Sequence, residues 1–357
     1  MSIPISIAIM LISFYIMSRV VDEFFIKSLD NISRWMKLTP SVAGATLMAM
    51  GTSAPELSTA LFALFLPNTN PATGVGTIVG SAIFQVLVVI GFAALVKTSY
   101  LDWKPVIRDG VFYSLTIILL ILFVEDDRFT LLESSLLLGT YLIYLIVLFI
   151  WTRTIKEADA PPLPDSPETT PEDQSVLVRV FRLLTFPIDW PLSFVPDPSE
   201  KQQWTLPVFF GSLATIGFLS YWLVLAAESF ALIIGIPPAV VALTILAGGS
   251  SIPEMIGSAV VSKQGRGDMA ISNAIGSNIF DILISLGLPI FIYNVTRGEL
   301  DQLGGENIAS SILLLFATML MVLLLLAAQK FRVGKAFGLV LITSYAVYVV
   351  AAYAGWL

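Results

Sequence analysis

The sequence contains no cysteine and no histidine among its 357 residues. Without cysteine there are no disulfides and no thiolate chemistry. Without histidine the chain lacks the commonest transition-metal ligand and the side chain that titrates nearest neutral pH. Charge is scarce as well: 13% of residues are charged, against about 25% in a soluble domain. The net charge of −7 is not that of a nucleic-acid binder. Carboxylate, hydroxyl and carbonyl oxygens are what is left for chemistry, and these are the ligands of hard cations.

What the chain has in quantity is apolar residues, 56% of the total, with a mean hydropathy of +0.87. Apolar runs of about 20 residues recur along it, enough for helices that cross a bilayer. The fold class expected is therefore an all-α, polytopic integral membrane protein. The first run lacks a basic flank before it and a small-residue cleavage site after it, so it reads as a retained helix rather than a signal peptide. The surrounding lipid bilayer is the one macroscopic partner implied; nothing points to a nucleic acid or a protein partner.

The pattern predicts ten transmembrane helices: 3–20, 40–66, 72–97, 105–124, 129–152, 204–234, 237–262, 268–294, 307–328 and 334–355. Of the 19 lysines and arginines, only Arg128 and Arg297 fall outside the connections after spans one, three, five, seven and nine. By the positive-inside rule those connections face the cytoplasm and both termini face outside. An odd miscount of spans would scramble this asymmetry. No targeting signal is visible, so a plasma or bacterial inner membrane is the default location.

One long polar stretch, 153–203, divides the chain into 1–152 and 204–357. Its part "EADAPPLPDSPETTPED" (157–173) is acidic and proline-rich, a disorder composition. Its part 175–195 is apolar, interrupted by Pro187 and Pro191, and is expected to lie along the membrane surface.

The two halves repeat. "AGATLMAMGTSAPE" (43–56) matches "VALTILAGGSSIPE" (241–254), and "GSAIFQ" (80–85) matches "GSNIFD" (276–281). Five spans per half is an odd number, so the second copy runs through the membrane the other way. This is an inverted-topology repeat, whose binding site belongs at the repeat interface near the midplane.

Each repeat places a proline and a glutamate inside an apolar span. Pro55 and Pro253 lack an N–H and clash with the carbonyls of Gly51 and Gly249. The freed backbone oxygens must find other partners in lipid, cations among them. Side chains one helical turn apart add more oxygens: Thr52 with Glu56, Ser250 with Glu254, Ser81 with Gln85, and Ser277 with Asp281. Glu56, Glu254 and Asp281 are three mid-membrane carboxylates with no lysine or arginine at the same depth. Each costs about 3 kcal/mol if ionised and unpaired. A Ca2+ shell of about 6–8 oxygens fits them. One Ca2+ against three carboxylates leaves a negative charge for a monovalent ion, and several Na+ could fill the same oxygens. Competing occupancy of shared ligands is a physical basis for exchange.

A glycine-, serine- and proline-rich span taken alone is equally explained by close helix packing, and a lone glutamate by a structural hydrogen bond. The duplication of both features argues against these explanations. Glu133, Glu228, Asp22 and Glu23 fall toward span ends and are left out of the site.

At these residues the chain resembles the cation/Ca2+ exchanger superfamily, most closely the potassium-dependent sodium/calcium exchangers. The stretches that carry the resemblance are "VAGATLMAMGTSAPELSTALFALF", "GVGTIVGSAIFQVLVVIGFAAL" and "KQGRGDMAISNAIGSNIFDILISLGLP", with a weaker echo in "VVDEFFIKSLDNI". They cover roughly a third of the chain. The resemblance implies two inverted five-helix halves, with spans one and six sliding past a core of the rest. It implies a central site that binds Na+ and Ca2+ alternately and no cofactor. The ligands it implies are Ala49, Thr52, Ser53, Glu56 and Ser81, then Ala247, Ser250, Ser251, Glu254, Ser277 and Asp281, the alanines through their carbonyls. Gln85 stands where that family usually has asparagine, and Glu254 where the potassium-dependent branch commonly has aspartate. Asp281 matches the aspartate associated with potassium dependence. K+ co-transport is left open.

A proton/divalent-cation antiporter of the same fold is the alternative, with one buried carboxylate carrying the proton. An intramembrane aspartyl protease is suggested by "GRGD" (265–268). Its dyad would need Asp268 and Asp281 together, but 13 residues of helix separate them, about 20 Å. A transporter, not an enzyme, is expected.

Overall fold

The computed structural model describes residues 2–36, 49–67, 69–101, 103–154, 185–263, 267–301 and 305–356. Residues 40–48 of the second predicted span, the acidic stretch 157–173 and the first two residues of "GRGD" lie outside the described residues.

The described chain is mostly helical. The first helix, α1 (Ile3–Trp35), is longer than the predicted span 3–20 and passes through a π turn at Val21–Phe25. Asp22 and Glu23 therefore sit inside a helix, not at its end. After it come α2 (Ala49–Thr52) and α3 (Ala54–Phe65). Helix α4 (Pro71–Val96) has a π turn at Gln85–Val89. The first half closes with β1 (Ser99–Tyr100), α5 (Trp103–Val124), β2 (Arg128–Phe129) and α6 (Leu131–Thr154).

A short helix, α7 (185–192), runs through both Pro187 and Pro191, so the two prolines do not break it. The second half begins with α8 (Thr205–Ile234). It continues with α9 (Pro238–Ser250), whose π turn is Ala242–Leu246, and α10 (Ile252–Lys263). Helix α11 (267–297) joins Gly267–Phe280 to Gly287–Arg297 through a π turn at Asp281–Leu286. Then come β3 (Leu300–Asp301), α12 (Gly305–Ala328), β4 (Arg332–Val333) and α13 (Lys335–Tyr353).

Eight of these helices are long and apolar enough to cross a membrane among the described residues, and Ala54–Phe65 and Pro238–Ser250 are shorter apolar helices. Two tiny antiparallel ladders tie their ends together: β1 with β4, and β2 with β3. The connections after α4 and α12 thus meet on one side of the molecule. Those after α5 and α11 meet on the other.

The apolar interior divides in two. One cluster is built from α3, α4, α5, α6, α11, α12 and α13. The other joins α1 to α8, through Met17, Phe25, Leu29, Leu219, Leu223 and their neighbours, with Ala54 of α3 and Val241, Ala242 and Leu246 of α9. Helix α4 and helix α9 pack at backbone contact: a Cβ on Gly80 would stand 2.2 Å from the Leu243 carbonyl oxygen. Helix α1 presses on the opposite side, where a Cβ on Gly249 would stand 2.3 Å from the Phe14 ring. Glycine is required at Gly80, where the obstacle is backbone; at Gly249 it is the Phe14 side chain that would have to move.

Candidate ion site

The site is built where the helices break. Between α2 and α3 the chain turns at Ser53, with φ −90° and ψ 5°. Between α9 and α10 it turns at Ser251, with φ −93° and ψ 7°. The two repeats break at matching residues and with the same backbone geometry. Pro55 falls in the first turn of α3, a position where proline is pre-organised for helix. The proline thus starts a new helix instead of kinking a continuous one, and the break lies two residues before it.

This geometry corrects one expectation. Thr52 and Glu56 do not share a face of one helix, because Ser53 interrupts it; the same holds for Ser250 and Glu254 across Ser251. The oxygens meet across the repeats instead. Ser250 hydrogen-bonds Glu56. The Ser81 Oγ lies 2.6 Å from the Ser251 Oγ and 3.4 Å from the Glu56 Oε1. The Ser277 hydroxyl donates to the Gln85 Oε1 at 2.7 Å. Ser53 and Gln85 hydrogen-bond Asp281, and the Ser285 hydroxyl donates to its Oδ1 at 3.2 Å. Five of these links, Glu56–Ser250, Ser81–Ser251, Gln85–Ser277, Ser53–Asp281 and Gln85–Asp281, join a residue of the first half to one of the second. Ala247 contributes its carbonyl, which accepts from the Ser250 hydroxyl and the Ser251 N–H, both at 3.2 Å. Ala49 opens α2 and Thr52 ends it.

Glu56 and Asp281 are fully buried, and Glu254 is nearly so. The Glu56 charge acts on both Glu254 and Asp281. One oxygen of each, Glu56 Oε2, Glu254 Oε2 and Asp281 Oδ2, has no hydrogen-bond donor. Among the described residues no lysine or arginine pairs with any of the three. Nor do three acidic side chains form a ready-made metal cage among the described residues. A cation at Glu56 and Glu254 would complete its shell with serine hydroxyls and backbone carbonyls. Asp281 is tied to the same group through Ser53 and Gln85, and its charge acts on Glu254 as well.

Two neighbours were not singled out by sequence reasoning. Asn278 is fully buried and neither of its side-chain polar atoms has a partner. It lies one turn before Asp281, and its place inside "GSNIFD" was the available signal. The Tyr113 hydroxyl, also buried and without a partner, is within electrostatic range of Asp281; a tyrosine in an apolar span gave no signal. The carboxylates left out of the site are locally occupied. Glu133 and Thr130 form a reciprocal capping box at the start of α6, at 2.7 and 3.3 Å. Glu228 of α8 accepts from the Asn70 N–H at 3.0 Å and from the Thr73 hydroxyl at the start of α4.

Comparison with known proteins places this geometry. The sodium/calcium exchanger protein family matches residues 6–150 and 204–354. Among similar proteins are sodium/potassium/calcium exchanger 2 of Homo sapiens, 28% identical over 96% of this chain and 76% of that one. Sodium/potassium/calcium exchanger 1 of Gallus gallus is 27% identical over 96% and 77%. Solved structures of the sodium-calcium exchanger NCX_Mj share the fold. The one soaked with 100 mM Na+ and 10 mM Sr2+ aligns with a TM-score of 0.58 at 24% identity, covering 98% of each chain. With matching breaks, cross-repeat oxygens and a family match over most of its length, the chain belongs to the sodium/calcium exchanger protein family.

Proposed function

We propose that this protein is a secondary antiporter that exchanges Ca2+ for Na+ by alternating access, with K+ moving alongside Ca2+. The observation that carries the reading is the set of three buried carboxylates, each with an oxygen that no protein donor satisfies. Three such charges without a counter-ion are too costly to keep inside a membrane. Cations of the transported kind remove that cost. The family name and the names of the similar sodium/potassium/calcium exchangers support Na+ and Ca2+, and the latter support K+.

The ligand set is Glu56, Glu254, Asp281, Thr52, Ser53, Ser250, Ser251, Ser81, Ser277 and Gln85, with the carbonyls of Ala49 and Ala247. Ca2+ takes Glu56 and Glu254 with the neighbouring hydroxyls; K+ takes the Asp281 end. Na+ ions refill the same oxygens on the return. The unloaded site, carrying uncompensated charge, is the one barred from switching sides. Net charge moved across 100 mV is worth about 2.3 kcal/mol per elementary charge, so voltage biases any electrogenic cycle.

The architecture we propose is ten spans in two inverted halves, 1–152 and 204–357, joined by 153–203. The matching breaks at Ser53 and Ser251 support it, as do the π turns headed by Gln85 and Asp281 at matching places. The two ladders, each joining ends an even number of spans apart, support the alternation of sides. The basic connections, 153–203 among them, then face the cytoplasm and the termini face outside. The separate apolar cluster of α1 and α8 supports their motion as a pair against the rest.

The test is Ca2+ binding by calorimetry to purified protein, repeated at rising Na+. Competitive loss of binding with Na+, and loss of binding in Glu56→Gln and Glu254→Gln, are expected. Binding indifferent to both substitutions would overturn the assignment.

A further inference from the structure

The connection ahead of α8 has two unlike faces. Phe186, Trp190 and Phe194 recur every fourth residue from α7 onward, so they share a side. They are 61%, 56% and 69% exposed. The Trp190 and Phe194 rings meet edge to face, their centroids 5.2 Å apart. Large aromatics in a row on a connection are not what water selects.

The other face is fastened to α1. The Tyr15 hydroxyl donates to both Asp189 carboxylate oxygens, at 2.9 and 3.0 Å, and Arg19 pairs with the same group at 3.3 Å. Thr185 is buried, and Leu192 packs into the apolar cluster that joins α1 and α8. Farther along, Lys27 pairs with Asp197 at 2.6 Å and the Asn31 amide donates to the Pro198 carbonyl at 2.7 Å. The segment runs beside α1 from Tyr15 to Asn31, about 24 Å of helix, then turns directly into α8.

The geometry points to an in-plane membrane seat: Phe186, Trp190 and Phe194 sink into the boundary between headgroups and acyl chains, while the opposite face clips to α1. The occupant is the bilayer, because the aromatic side leads, past the exposed polar turn 199–203, to the exposed start of α8. There Trp204, Leu206 and Phe210 are also turned outward. Aromatic rings with a polar edge or a polar backing are what the interface favours. Since the segment is bonded to α1 and continuous with α8, it anchors that pair, and not the core, to the membrane surface. This last consequence rests on the two-part reading above; the seat itself does not.

The chain has no cysteine, so single nitroxide labels can be placed without background. We would label Phe186→Cys, Trp190→Cys and Phe194→Cys, with Glu200→Cys as a reference, in protein reconstituted into phospholipid vesicles. Collision with oxygen, which partitions into lipid, is compared with collision with a water-soluble nickel chelate. The oxygen-to-nickel ratio is expected several-fold higher at 186, 190 and 194 than at 200, with the same order at all three sites. Equal ratios at all four positions would overturn the proposal. So would labels at 186, 190 and 194 that meet neither reagent, which would mean that protein covers the face. Neither outcome depends on transport, so the seat and the exchange reading fail separately.

Discussion

Gly80→Ala should damage the protein at the contact between the two repeats. The added Cβ would stand 2.2 Å from the Leu243 carbonyl oxygen, 2.6 Å from its carbonyl carbon and 2.6 Å from its Cα, whereas ordinary contact begins near 3.4 Å. All three are backbone atoms, so no side-chain rotation relieves the clash. Helices α4 and α9 must part by roughly 1 Å, an overpacking strain of about 1–3 kcal/mol. Ser81 follows Gly80 in sequence, and its hydroxyl lies 2.6 Å from Ser251. The same displacement stretches that contact beyond hydrogen-bond length, a further loss of about 1 kcal/mol. Together these come to about 2–4 kcal/mol, of which the second part falls on the ion site and corresponds to about five-fold weaker Ca2+ binding. Thermal melting in detergent reads the first quantity and calorimetry the second. Gly211→Ala is the control: Gly211 lies on exposed α8 with open space around it, and alanine there should gain up to about 1 kcal/mol. If Gly80→Ala melted and bound Ca2+ like the parent protein, the close crossing of α4 and α9 would be wrong.

Other contacts give predictions of their own. Arg108 grips Asp109 at 2.8 and 3.0 Å with both side chains buried; Asp109→Ala should cost about 3–5 kcal/mol in melting, and Arg108→Met with Asp109→Leu together much less. Glu228→Ala removes the acceptor shared by Asn70 and Thr73 and should cost about 1–3 kcal/mol by the same assay. Asp197 lies outside the spans. Burial alone would raise its pKa, but the Lys27 ammonium and the Ser199 N–H outweigh that and hold the carboxyl below its usual value. Its contribution is therefore complete above the ordinary carboxylate pKa of about 4 and is lost as pH falls through the depressed one. Hydrogen exchange around 195–200 should accelerate below about pH 4, and Lys27→Met should abolish the transition.

The membrane class was legible because apolar run length is local chemistry, and the paired Pro-Glu motifs and the carboxylates with no nearby base pointed to the residues proposed for the site. Their partners were not legible. The i, i+4 pairing of Thr52 with Glu56 assumed an unbroken helix, while the chain breaks at Ser53, two residues before the proline that announces it. The hydroxyls then reach across to the other repeat, and contacts some 170 to 192 residues apart, Ser81–Ser251 and Gln85–Ser277, leave no periodic trace. The π turns at Gln85 and Asp281 were equally silent, since one extra residue per turn changes neither composition nor hydropathy. The run of α1 past residue 20 was hidden because polar residues at 22–34 read as a loop, although they pack against α8 and the 185–201 connection. Pro187 and Pro191 read as breaks because proline removes a helix hydrogen bond, yet 185–192 stays helical through both.

The central claim is that a Na+ gradient drives Ca2+ through the site shared by Glu56, Glu254 and Asp281. The most direct test is Ca2+ uptake into liposomes that hold the purified protein and are loaded with Na+. The medium outside is free of Na+, with K+ present or replaced by an inert cation, and Asp281→Asn is run in parallel. Uptake is expected to require internal Na+, to be stimulated by K+ in the parent protein, and to lose that stimulation in Asp281→Asn. Uptake indifferent to Na+ but driven by a pH gradient would contradict it.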